Sequence, residues 1–119
     1  MDVLVIEPGK DPEVRSISKD LKSLQAIVGG HMETLTLPNR TVMVLNEEGK
    51  MNGLPFNRFL SRNGIDVDKL VGTIFICGVK GEDFGSLSKA EIDSLLKCID
   101  KKRFTMPEPV IRHKRRDRS

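Results

Sequence analysis

Three short apolar runs constrain this chain more than anything else in it. They are D-V-L-V-I-E at 2–7, T-V-M-V-L at 41–45 and T-I-F-I-C at 73–77. Each is rich in β-branched residues and bounded by turn signals, so each predicts a strand. The nearly continuous apolar character of the first predicts a central position in a sheet. No apolar run approaches the ~20 residues that span a membrane. With 119 residues, 38% hydrophobic and 31% charged, the chain has room for one domain with a modest core.

Other elements follow from period and punctuation. Residues 13–17 alternate and follow the turn P-G-K-D-P at 8–12, which predicts a hairpin with the first strand. Ser18 is an N-cap residue for a helix over 19–28, with Leu21, Leu24, Ile27 and Val28 on one face and Gly29-Gly30 as the stop. Residues 31–37 alternate as a strand, and Pro38-Asn39-Arg40 turns the chain antiparallel into 41–45. Residues 79–87 read as a glycine-rich loop. Ser88 and Glu91 form the capping-box pattern for a second helix running to about Lys102, with Ile92, Leu95, Leu96 and Ile99 apolar. Five strands, two helices and short links predict an α+β fold, a mainly antiparallel sheet with both helices packed on one face. The domain is expected to span 1–104, followed by a basic, disordered tail over 105–119.

The stretch N-E-E-G-K-M-N-G-L-P-F-N-R at 46–58 is the least periodic. Asn46 and Gly49 suit a tight turn, and Asn52-Gly53 marks a second. Pro55 suits the first turn of a short helix over 56–62, ended by Asn63-Gly64. Residues 65–71 are ambiguous, with Asp66 or Asp68 able to cap one helical turn. This arrangement puts Asn46, Glu47, Glu48, Lys50, Asn52, Asn57 and Arg58 on a surface loop, where binding groups concentrate. Turn chemistry alone accounts for the same Gly, Pro and Asn positions.

The segments V-L-V-I-E-P-G-K at 3–10, N-E-E-G-K at 46–50, G-L-P-F-N-R at 53–58 and G-T-I-F-I-C-G at 72–78, in that order, resemble a small domain family of unknown function. Its members occur in bacteriophage and mobile-element genes. The resemblance covers roughly residues 1–80 and implies a mobile-element context without a reaction. It carries no catalytic residues over to this chain.

Charge is unevenly placed. Arg112, Lys114, Arg115, Arg116 and Arg118 stand against Glu108 and Asp117 in the last fifteen residues, which accounts for the whole net charge of +3. The remainder holds 15 basic and 15 acidic residues, which argues against an acidic mimic of DNA. The basic cluster can neutralise phosphates, but Trp and Tyr are absent and no stacking apparatus is evident. Cys77 and Cys98 lack partners at metal-ligand spacing and read as free thiols of a reduced cytoplasm. His31 and His113 are too far apart in sequence to suggest a metal pair. The loop at 78–85 sits between strand and helix but fits neither phosphate-loop pattern, and Glu82 and Asp83 would repel an anion. Adjacent Glu47 and Glu48 need not converge on one bond.

No cofactor, metal or catalytic set is therefore expected. The direct start on a strand leaves no secretory signal, which places the expected site of action in the bacterial cytoplasm. The leading expectation is a non-enzymatic accessory protein that contacts and restrains a host protein, such as a defence factor. Nucleic-acid association through the tail is the alternative, and sequestration of a nucleotide-like signal by Lys50, Asn57 and Arg58 a third.

Overall fold

The computed structural model describes residues 1–108. Among these, nine strands and two helices form two sheets. The larger contains β1 (Asp2–Ile6), β2 (Glu13–Ser16), β3 (Met32–Leu37), β4 (Thr41–Asn46), β7 (Ile74–Lys80) and β8 (Asp83–Gly85). Its order is β2-β1-β7-β4-β3, antiparallel throughout, with β8 paired to the end of β7. The three apolar runs are β1, β7 and β4, and they lie side by side at its centre. The smaller sheet has the order β6-β5-β9, from β5 (Phe56–Arg62), β6 (Ile65–Val71) and β9 (Arg103–Thr105). β9 runs parallel to β5.

The expected single sheet with both helices on one face is overturned by this second sheet. The reason lies in the central strands, which are apolar on both faces. Val3, Val5, Val42, Val44, Phe75 and Cys77 point one way and are covered by Leu24 and Val28 of α1 (Leu21–Val28). Leu4, Ile6, Met43, Ile74 and Ile76 point the other way. They are covered by Leu60, Leu70 and Phe104 of the small sheet and Leu95 of α2 (Lys89–Leu96). Two eight-residue helices on one face would leave half of this apolar surface wet, at a cost of about 25 cal/mol per Å² exposed.

Local corrections have local causes. Residues 56–62 form β5, not a helix: Phe56, Phe59 and Leu60 fit helical spacing, but the bulge between Phe56 and Arg58 lets Asn57 and Arg58 both turn inward. Residues 65–71 pair along β5 as β6. Within 79–87, β7 continues to Lys80 and returns as β8 through a turn in which Gly81 has φ 65°. The second helix ends at Leu96 because Asp100 Oδ1 accepts from the amides of Lys102 and Arg103, both at 2.7 Å, and turns the chain into β9. Asp20, not Ser18, caps α1, accepting from Ser23 N at 2.9 Å. Its bonds to Ser18 and Ser23 hold the Asp20 carboxyl at about 2. The Ser88–Glu91 capping box forms as expected. The basic cluster of the tail lies outside the described residues.

Candidate functional site

The turn that follows β4 is built from main-chain bonds. Gly49 N donates to Asn46 O (3.3 Å), Asn52 N to Glu48 O (2.9 Å), Gly53 N to Lys50 O (3.2 Å) and Leu54 N to Gly49 O (3.0 Å). Asn46 anchors it: its buried side chain donates to Val28 O at 3.1 Å and accepts from Glu48 N at 2.8 Å. With the backbone so fixed, Glu47, Glu48, Lys50 and Asn52 face solvent. Lys50 Nζ pairs with Asp68 on β6, and this bond lowers the Asp68 carboxyl below its ordinary range.

Asn57 and Arg58 are placed elsewhere. They are 2% and 1% exposed, beneath the surface they were expected to form. Asn57 Nδ2 donates to Ile6 O (2.9 Å) and Gly72 O (2.7 Å). Arg58 Nε donates to Asp100 O (2.6 Å), Nη2 to Lys10 O (2.6 Å), and Nη1 to Glu7 O (3.3 Å) and Asn57 Oδ1 (2.7 Å). Burial pulls the guanidinium below its ordinary value, with Asp100 and Asp11 opposing the shift, but an arginine remains charged. The pair is a polar joint that ties the end of β1, the β6–β7 junction and the segment after α2 to one strand. Gly72 belongs to this joint: its φ is 70°, and a Cβ there would lie 2.7 Å from Leu54 Cδ1.

The structure brings together with the turn a set of residues that the sequence reading missed. Seven large apolar side chains stay exposed among the described residues, and Met51, Phe56, Ile65 and Val67 supply four of them from one short stretch. Phe56 and Phe59 meet edge to face, with ring centres 4.9 Å apart. Arg103 lies 5.7 Å from the Phe59 ring centre and donates to both Asp66 oxygens, at 2.9 and 3.0 Å. That pairing, with the Ser61 hydroxyl, lowers the Asp66 carboxyl. A cleft of ≈ 420 Å³ on this face is lined by Lys50, Phe59, Asp66, Val67, Asp68, Lys69 and Val71. A second, of ≈ 300 Å³, opens between the turn and β6. The alternation in I-D-V-D-K was the one signal in sequence that could have placed β6 here.

Reactive groups are quiet. Burial pushes the Cys77 thiol up to about 12 and also raises Cys98, so neither is a thiolate near neutrality. Among the described residues no group of three or more His, Cys, Asp or Glu side chains is placed to hold a metal ion. No helix among them is long and apolar enough to cross a membrane.

Residues 1–100 match a family described as a domain of unknown function (DUF3846). The chain belongs to this family. The DUF3846 match takes in the turn, the polar joint and both strands of the β5–β6 hairpin. No curated protein and no solved structure matches the chain.

Proposed function

We propose that the chain is a small non-enzymatic accessory protein of phage or mobile-element type that docks on a host protein and restrains it. It acts in the bacterial cytoplasm, and its docking surface is the outward side of the 46–54 turn and the small sheet. The observation that carries this reading is the pair of clefts whose linings include exposed Val67 and Met51, on a hairpin that also exposes Phe56 at one end and Ile65 at the other. Exposed apolar side chains lining a cleft support an interaction surface, whereas single scattered ones do not. The ordered motifs shared with phage-type sequences support the context. Asn57 and Arg58 serve the surface from beneath, by fixing the strand that bears Phe56 and Phe59.

Affinity capture from bacterial lysate tests this. A nuclease-resistant protein is expected with the full chain and with a chain ending at Glu108. The Phe56→Ser/Val67→Ser variant is expected to lose it while keeping its urea midpoint. Capture that survives both substitutions would move the surface elsewhere. One observation favours nucleic-acid association as a second reading: half-exposed Phe56 lies on the sheet whose last strand, β9, precedes Arg112, Lys114, Arg115, Arg116 and Arg118 in the sequence. On that reading capture vanishes with nuclease and with removal of 109–119. Sequestration of a nucleotide-like anion draws no support from Arg58, whose donors are directed at main-chain carbonyls, or from Lys50, which is paired with Asp68.

A further inference from the structure

The cleft between the turn and β6 differs in kind from the neighbouring outer face. Leu45, Leu70, Val71 and Met51 give it apolar walls. Glu33, which pairs with Leu45 across β3 and β4, stands at its rim with Glu47 and Glu48. No ion pair or side-chain hydrogen bond engages these three carboxylates among the described residues. Two lysines also line the cleft, but Lys50 is held by Asp68, which leaves Lys69 against three unpaired carboxylates. Among the described residues these carboxylates do not group as a metal site would.

We propose that this cleft receives a basic side chain, an arginine or lysine flanked by aliphatic residues, from the protein partner. The proposal rests on the docking reading above and names the chemistry of what docks. A long basic side chain matches the cleft atom for atom in kind. Its methylene stem lies along Leu45, Leu70 and Val71 while its charged head stays at the wet rim with Glu47 and Glu48. Arginine is the better occupant, because a planar guanidinium can serve two carboxylates at once. An acidic or purely apolar partner segment would leave the rim carboxylates repelled or stripped of water without compensation.

The test is a titration of the full chain with the peptide acetyl-Leu-Arg-Leu-Arg-Leu-amide, followed by amide ¹H–¹⁵N shifts. Saturable shifts are expected at Glu47, Glu48, Lys69 and Val71, and none from the analogue with glutamate in place of arginine. Binding should weaken as salt rises, and by about fivefold in the Glu47→Gln/Glu48→Gln variant, since two exposed ion pairs are removed. Both residues are exposed on the turn, so the variant keeps its fold. Equal shifts from the acidic analogue, unchanged binding in the variant, or no shifts at the cleft would each overturn the proposal. The two readings fail separately. Lysate capture that depends on Phe56 and Val67, together with a silent cleft, removes this proposal and leaves the docking surface. Peptide binding together with capture indifferent to Phe56 and Val67 does the reverse.

Discussion

The large sheet is held by what its residues avoid, and the small sheet by what two of its residues seek. In β1, β4 and β7, successive apolar side chains bury on opposite faces, and the strands stack by exclusion of water. In β5 the two best-buried polar residues, Asn57 and Arg58, reach main-chain carbonyls from three distant segments. Beyond them the small sheet buries little: β6 has one buried residue of seven, and β9 one of three. Burial without direction tolerates change in shape, whereas directed bonds to carbonyls do not. The difference separates a region held by burial from one held by a few directed bonds.

Breaking the polar joint should have the largest effect. Arg58→Met leaves the carbonyls of Lys10 and Asp100 without their donor and Glu7 O with only the Lys10 amide, and urea unfolding should show a loss of about 3–5 kcal/mol. Arg58→Lys should recover little, because one ammonium cannot span those directions. A loss under about 1 kcal/mol would mean that apolar contact alone docks the small sheet. Phe104→Ala, which removes the buried ring of β9, should cost about 3–4 kcal/mol. Hydrogen exchange on that variant sharpens the comparison: β5 and β6 amides should open while β1 and β7 stay protected. Simultaneous opening would erase the distinction between the two regions.

Smaller effects follow. Arg40 sits in the β3–β4 hairpin turn with φ 60°, beside Asn39 with φ 65°. Leu37 pairs with Thr41, so the loop has three residues, and its last, left-handed position favours glycine; Arg40→Gly should stabilise the large sheet by about 0.5–1 kcal/mol in the same assay. The smallest effect is set by pH. Asp66 is lowered in the folded chain by Arg103 and Ser61, so its contribution is complete above the ordinary aspartate range. It is lost as pH falls through the lower folded value. Asp66→Asn should therefore flatten the acid limb of the stability profile, and an unchanged limb would show that the pair is neutral in effect.

Legibility in sequence divides along the same line. The runs at 2–7, 41–45 and 73–77 identified the centre of the large sheet, because apolar period is a local property. The hairpin of β3 and β4, the stop at Gly29 and the Ser88–Glu91 cap are equally local. The small sheet was illegible because its reasons are remote. Nothing near residue 58 reveals that carbonyls at 7, 10 and 100 will converge there, so F-N-R-F-L-S-R showed only helical spacing. The turn at 46–54 was read correctly as a turn, and its exposed Glu47, Glu48, Lys50 and Asn52 were placed outward. Its neighbours Phe59, Asp66, Val67 and Lys69 come from strands that the pattern did not reveal.

Because β5 needs β9 as its parallel neighbour, and Arg58 needs the carbonyl of Asp100, the fold cannot be finished from its first half. During synthesis the first sixty residues leave the ribosome with a charged guanidinium and no complete set of acceptors. The small sheet closes only after residue 105 has emerged. A chain stalled or clipped before residue 105 would thus hold its early strands in an unfinished, protease-sensitive state, and the strand bearing Phe56 would be set correctly only once β9 is present.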